Sequence, residues 1–147
     1  MGIALMLVVV ALAATGVLGQ RTATEVGAGG GYQLTVTFPS VVRPGLDVRW
    51  NIIVTNPAGF GKSLSIAVSR HYFDIFDLNA LRPDADSAIS NGESVIYTWD
   101  SPPGTEFEFS LDAYAEYGEH FGLDGFTSIV DQGRSVVTVR YHTRWVP

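Results

Sequence analysis

The sequence predicts an all-β domain that follows one N-terminal membrane-spanning segment. Two observations carry this prediction. Residues 2–19 contain no charged side chain and no Asn or Gln. The rest of the chain consists of short segments in which apolar and polar residues alternate, separated by Gly and Pro turn signals. Strict alternation places one face of each segment on a core, as in half-buried strands.

The apolar segment Gly2–Gly19 is long enough to span a bilayer. Its 18 residues would make a helix of about 27 Å, close to the ~30 Å of a hydrocarbon core. Apolar side chains cover every side of such a helix, which favours contact with lipid. A cleaved signal peptide is the alternative, but no Lys or Arg precedes the run. We therefore expect residues 1–19 to be an uncleaved transmembrane anchor.

The side of the membrane on which the domain lies is predicted from the charge next to the segment and from the length of the domain. Arg21 is the one basic residue close to the end of the segment, and by itself it would keep the domain in the cytoplasm. Long domains are translocated largely regardless of charge. We expect a single-pass cell-membrane protein whose C-terminal domain is extracytoplasmic.

Residues 20–31 contain four glycines and no apolar period. Glycine-rich segments of this kind behave as flexible coils. The sequence therefore predicts a flexible tether over residues 20–31 and a single domain over residues 32–147.

Seven or eight short strands are predicted in this domain. They cover residues 32–38, 47–56, 64–68, 72–81 (an irregular strand, or a helical turn), 95–99, 106–114, 126–130 and 136–141. The polar residues 82–92 predict a loop. Within residues 47–56, Trp50 lies at the centre of the inward phase and is expected to be buried. Short strands separated by turns favour an immunoglobulin-like antiparallel β-sandwich, with a closed barrel or jelly roll as the alternative.

Composition excludes several classes of function. The formal net charge is −6 and there is no basic run, so nucleic-acid binding lacks its electrostatic footprint. The absence of Cys excludes disulfides, thiolate nucleophiles and Cys-based metal sites. An exported domain without Cys indicates a bacterial source, because small secreted animal domains are often disulfide-bonded.

Several short motifs carry a resemblance to a known group of proteins. They are Pro39, the run Val42-x-Pro-Gly-Leu46, the strand end Val54-Thr55-Asn56, Leu78-Asn79-x-Leu81-x-Pro83 and the C-terminal Trp145-Val146-Pro147. Together they resemble small actinobacterial membrane-anchored proteins. The resemblance implies one transmembrane helix and one immunoglobulin-like exterior domain of unassigned function, and it supplies no catalytic residue.

Two acidic segments contain oxygen ligands suited to a divalent cation. The candidate metal ligands are Asp84, Asp86, Glu116, Glu119, His120 and Asp124. Their spacing matches no EF-hand loop, and acidic residues in loops commonly form turns. We favour solvated loops and expect no metal and no cofactor.

Seven aromatic residues have no clear inward phase in a strand and are candidates for a partner surface. They are Tyr72, Phe73, Phe76, Tyr114, Tyr117, Phe121 and Trp145. Several exposed rings in one patch would mark a contact surface.

The function expected from these patterns is a membrane-anchored, non-enzymatic interaction module. Its partners would be membrane lipid, through residues 2–19, and another membrane or envelope protein, with the chain as an accessory subunit of a membrane complex. A module that binds carbohydrate or Ca²⁺ of the cell envelope is the alternative.

Overall fold

The computed structural model describes residues 21–74, 76–116 and 122–146. These residues form ten strands and one short helix, with the following bounds: β1 Arg21–Gly29, β2 Tyr32–Val42, β3 Asp47–Thr55, β4 Ser63–Ser69, α1 Arg70–Phe73, β5 Phe76–Arg82, β6 Ser87–Ser90, β7 Ser94–Asp100, β8 Glu106–Ala115, β9 Gly122–Asp131 and β10 Arg134–Trp145. The all-β prediction is confirmed. Within this part of the chain no helix has the length and apolarity needed to cross a membrane. The predicted anchor, residues 1–19, lies outside the described residues.

The strands form one curled sheet in the order β5–β8–β3–β2–β10–β9–β4–β7–β6, and β1 is added to β2. All pairs are antiparallel except β2 with β10. That parallel junction contains two residue pairs, Val41 with Arg144 and Val42 with Trp145. The sheet is therefore narrow where β2 meets β10.

Residues 21–29 form a strand of the sheet, so the prediction of a flexible tether is wrong for them. β1 pairs with β2 over its whole length, and Gly30 and Gly31 make the turn with positive φ. A Cβ built on Gly29 would lie 2.5 Å from the Val136 carbonyl oxygen, and one on Gly27 would lie 3.0 Å from Val139. These glycines let β1 approach β10 closely, which composition alone does not distinguish from flexibility.

One further strand, β6, together with β1 raises the count from the predicted seven or eight to ten. Residues 82–92, predicted as a loop, contain β6, which pairs with β7. β6 is exposed at all four positions, so it has no inward phase that alternation would reveal. Residues 72–81 contain both predicted forms, because the end of α1 supplies a helical turn and β5 follows it.

The core lies on the inward phase of the central strands. Trp50 is fully buried on β3, which confirms the prediction for this residue. Trp99 of β7 packs on Phe109 of β8 with ring centroids 4.7 Å apart, which joins the two distant parts of the strand order across the interior.

Candidate interaction surfaces

Four of the predicted surface aromatics are instead part of the core. Tyr72, Phe73, Phe76 and Trp145 are at most 8% exposed. The ring of Trp50 contacts Phe73 and Phe76 at centroid distances of 4.8 Å, and Phe76 contacts Trp145. We call Trp50, Tyr72, Phe73, Phe76 and Trp145 the aromatic centre. The prediction of a partner surface is wrong for four of them; it did not include Trp50.

The physical reason is α1 for Tyr72 and Phe73; for Trp145 it is β10, which continues past the predicted strand end at residue 141 with Trp145 on its buried phase. Neighbouring residues of a strand face opposite sides, whereas α1 and the turn after it direct both Tyr72 and Phe73 to the interior. Of the other candidates, Tyr114 is half-buried on β8, and Tyr117 and Phe121 lie outside the described residues. Burial removes the four core rings from any surface on which a sugar could stack.

A buried chain of hydrogen bonds crosses the aromatic centre. The Trp50 Nε1–H donates to Tyr72 Oη over 3.0 Å, and Thr143 Oγ1–H donates to the Pro39 carbonyl oxygen over 2.7 Å. Because that carbonyl can only accept, Tyr72 donates its own proton to Thr143 Oγ1. Burial raises the pKa of Tyr72 to about 12. The chain joins β3, α1, β10 and β2 through groups that are all satisfied.

A second buried tyrosine lies beside this chain. The Tyr141 hydroxyl donates to the Phe126 carbonyl oxygen and bonds to Thr127 Oγ1, and burial raises its pKa. A Cβ on Gly125 would lie within 2.8 Å of both the Tyr72 and Tyr141 rings. The buried hydroxyls are thus committed to structural bonds, and the rings leave Gly125 no room for a side chain.

The candidate metal ligands are dispersed. Asp84, Asp86, Glu116 and Asp124 are exposed, and Glu119 and His120 lie outside the described residues. Asp86 accepts the Asp100 backbone N–H over 2.7 Å, and Asp124 bonds to His142 Nδ1 over 2.7 Å. Within residues 21–74, 76–116 and 122–146, no three His, Asp or Glu side chains form a group that could hold a metal ion.

An open groove of about 570 Å³ is lined by residues of β1, β2, β9 and β10. Phe38 and Tyr141, stacked with centroids 5.0 Å apart, form part of its lining. Glu25, Asp124, Arg140 and His142 contribute charges of both signs. Such a mixed lining selects no single charge class of ligand.

A continuous surface of mostly polar side chains covers the outer face of β1, β2, β3 and β8, which we call the four-strand face. Paired residues of neighbouring strands have their side chains on the same side of a sheet, so the register defines its rows. They are Ala28–Gln33–Thr55–Glu106, Val26–Thr35–Ile53–Glu108, Thr24–Thr37–Asn51–Ser110 and, on β3 and β8 alone, Arg49–Asp112.

Cross-strand bonds hold the polar side chains of the four-strand face. Arg49 binds both carboxylate oxygens of Asp112, with Nη2 to Oδ2 at 3.1 Å. This hydrogen bond holds the pKa of Asp112 below its usual range. Asn51 Nδ2 donates to Glu108 Oε1 over 2.8 Å, and Thr24 and Thr37 are joined by their hydroxyls over 3.0 Å.

The sequence contained a partial signal for this face. The outward phases of β3 and β8 are readable from alternation, but β1 was assigned to a tether, so its contribution was missed. Val26 of β1, 56% exposed, sits in the same row as the half-buried Ile53. The face therefore combines bonded polar groups with two apolar side chains, Val26 and Ile53, in one row.

Comparison with known proteins gives little guidance. No protein-family model and no curated protein matches the chain. One similar solved structure is a Pseudomonas fluorescens alkylpurine DNA glycosylase, AlkC, bound to DNA containing an abasic site analog. It has 9% sequence identity and a TM-score of 0.34, and the similarity covers 86% of this chain and 31% of that chain. A likeness this low carries no functional argument.

Proposed function

We propose that the chain is a membrane-anchored, extracytoplasmic interaction module that catalyses no reaction and docks on another membrane or envelope protein. In this proposal residues 2–19 span the membrane, as in the small actinobacterial proteins that the motifs resemble, and the chain serves as an accessory subunit of its partner. The four-strand face is the docking surface.

The arrangement of the four-strand face is the observation that carries the proposal. Two polar pairs of the face are bonded before any partner binds, Arg49 with Asp112 and Asn51 with Glu108. Groups already held in place lose little conformational freedom on association. The half-buried Ile53 follows Asn51 on this face of β3 and is paired with Glu108, so its apolar side chain can contact a partner beside these bonds.

An immunoglobulin-like sandwich is the finer fold that we propose. The narrow junction at β2–β10 divides the strand order into β5–β8–β3–β2 and β10–β9–β4–β7–β6. Contacts between the inner faces of these two groups, such as Trp99 with Phe109, support two facing layers.

The docking proposal is tested by co-purification of the tagged full chain from native membranes in mild detergent. Ile53→Arg places a charge at the centre of the four-strand face, and Ile89→Arg makes the same change on β6, where Ile89 is 65% exposed. We expect a partner that is lost with Ile53→Arg and retained with Ile89→Arg. Equal recovery with both variants would contradict the assignment of the face.

Topology has its own test. Intact-mass analysis should show a chain that retains residues 1–19, and a mature chain beginning at Gln20 would contradict the anchor. External protease should digest the domain on intact spheroplasts. Protection until the spheroplasts are lysed would place the domain on the cytoplasmic side.

A further inference from the structure

Three arginines converge at one end of the sheet although they are far apart in sequence. Arg21 of β1 and Arg144 of β10 are both paired with Val41 of β2, so they flank it in one row. Arg43 follows two residues after Val41, just beyond β2. All three arginines are exposed.

Backbone bonds fix the position of this end. The Val146 N–H donates to the Val42 carbonyl oxygen over 2.8 Å, which holds the end of β10 on β2. The Gly45 N–H donates to the Ala115 carbonyl oxygen over 2.8 Å, which holds the turn that contains Arg43. The arginines therefore project from a rigid framework.

These arginines have no ionic partner in the part of the chain that the structure describes. The ion pairs there join Arg49 with Asp112, His71 with Asp74, and His142 with Asp124. The chain has nine Lys and Arg residues in all and a net charge of −6. One third of its cationic side chains thus lies within a single row and its adjoining turn.

The position of the apolar segment identifies what this end would face. Gly2–Gly19 ends two residues before Arg21, and two residues reach at most about 7 Å. Because residues 21–29 belong to the sheet, only Gln20 lies in the sequence between the predicted anchor and β1. If the anchor spans the bilayer, this end of the domain lies at the level of the lipid headgroups.

We propose that Arg21, Arg43 and Arg144 form a basic end that binds the headgroups of anionic phospholipids in the anchoring membrane. This proposal rests on the anchor of the proposed function. A guanidinium group matches phosphate oxygens with two parallel N–H bonds. Each basic residue near an anionic membrane surface favours binding by about fivefold. The basic end would orient the domain and leave the four-strand face accessible from the side.

The test uses the full chain in phosphatidylcholine nanodiscs, with a fluorophore on Leu46→Cys. Leu46 is 43% exposed next to Arg43, and the chain has no other Cys. Quenching is measured with a trace of spin-labelled phosphatidylglycerol and, separately, of spin-labelled phosphatidylcholine. We expect the anionic lipid to be enriched about fivefold or more at the label, and this preference to disappear in high salt.

The decisive variant is Arg21→Gln with Arg43→Gln and Arg144→Gln. In it, the ratio of quenching by the anionic lipid to quenching by phosphatidylcholine should fall close to one. Its charge-matched control is Lys62→Gln with Arg82→Gln and Arg134→Gln, which should retain the preference. Far-UV circular dichroism checks that both variants remain folded.

Equal quenching of the wild type by the two lipids, or a lipid preference that survives in the first variant, would overturn the proposal that the basic end binds anionic lipid, without affecting the anchor. A chain that separates from the discs would overturn the anchor and this proposal with it.

Discussion

The aromatic centre and strand β1 are attached to the same sheet by opposite means. The aromatic centre consists of large buried rings, and Trp50 and Tyr72 among them form a hydrogen-bonded chain that continues through Thr143 to Pro39. β1 is largely exposed, and Gly27 and Gly29 bring it close to β10 because they lack side chains. A missing side chain can therefore determine packing as firmly as a large one.

The largest expected effect comes from removing the central ring. Trp50→Ala should lower the free energy of unfolding by about 3–5 kcal/mol, because it leaves a cavity in the core. It also takes a donor from the Tyr72 hydroxyl. Urea unfolding of the full chain in mild detergent, followed by far-UV circular dichroism, measures the change. A wild-type midpoint would show that Trp50 is not the centre of the core.

Gly29→Ala tests the close packing of β1 on β10. The new Cβ would meet the Val136 carbonyl oxygen at 2.5 Å, so β1 or β10 must shift, at a cost of about 1–3 kcal/mol. Gly92→Ala is the matched control, because no atom lies within 4 Å of its added Cβ and the change should stay within about 0.5 kcal/mol. If the same unfolding assay gives equal effects, the close approach of β1 to β10 is wrong.

Tyr72→Phe removes only the hydroxyl at the middle of the buried chain. It leaves the Trp50 N–H without its acceptor, which should cost about 1–2 kcal/mol. Tyr97→Phe is the control, since Tyr97 is half-buried and no hydrogen bond joins its hydroxyl to the described residues. If Tyr72→Phe and Tyr97→Phe lower the free energy of unfolding equally, the buried hydrogen bonds of Tyr72 do not stabilise the fold.

Tyr72→Phe should also change how stability depends on pH above about pH 10. The pKa of Tyr72 is about 12 in the folded protein, above the ordinary value of about 10 in an unfolded chain. The native state therefore keeps its proton where the unfolded state releases it. This contribution to stability is complete below pH 10 and is lost as the pH rises from about 10 to about 12. Unfolding titrations should show a shallower alkaline loss for Tyr72→Phe than for the wild type.

Glu108→Ala should have the smallest effect. Glu108 is exposed on β8 and accepts one hydrogen bond from Asn51, so we expect a change within about 0.5 kcal/mol. The urea midpoint should be almost that of the wild type. A loss of several kcal/mol would place the outward phase of β8 in the interior.

Alternation predicted the strands that have one buried and one exposed face. In β3 and β8 the inward residues Trp50 and Phe109 are both buried, because a strand with two distinct faces has a readable phase. β6 is exposed at every position and gave no such signal. The glycines of β1 suggested flexibility because their packing role depends on β10, more than 100 residues away.

The candidate site was harder to predict than the fold. Alternation cannot place two neighbouring residues of a strand inside, whereas the four-residue helix α1 buries both Tyr72 and Phe73. The four-strand face depends on pairings between distant segments, such as Arg49 with Asp112. The convergence of Arg21, Arg43 and Arg144 likewise appears only once the register of β1, β2 and β10 is known.

Amide hydrogen exchange across residues 21–29 tests whether this glycine-rich segment is a strand of the sheet and not a tether. In an antiparallel edge strand, alternate amides bond to the neighbouring strand. We predict that alternate amides of residues 21–29 in the full chain are protected. Exchange at the rate of an unfolded chain throughout residues 21–29 would show that this segment does not pair with β2 as a strand.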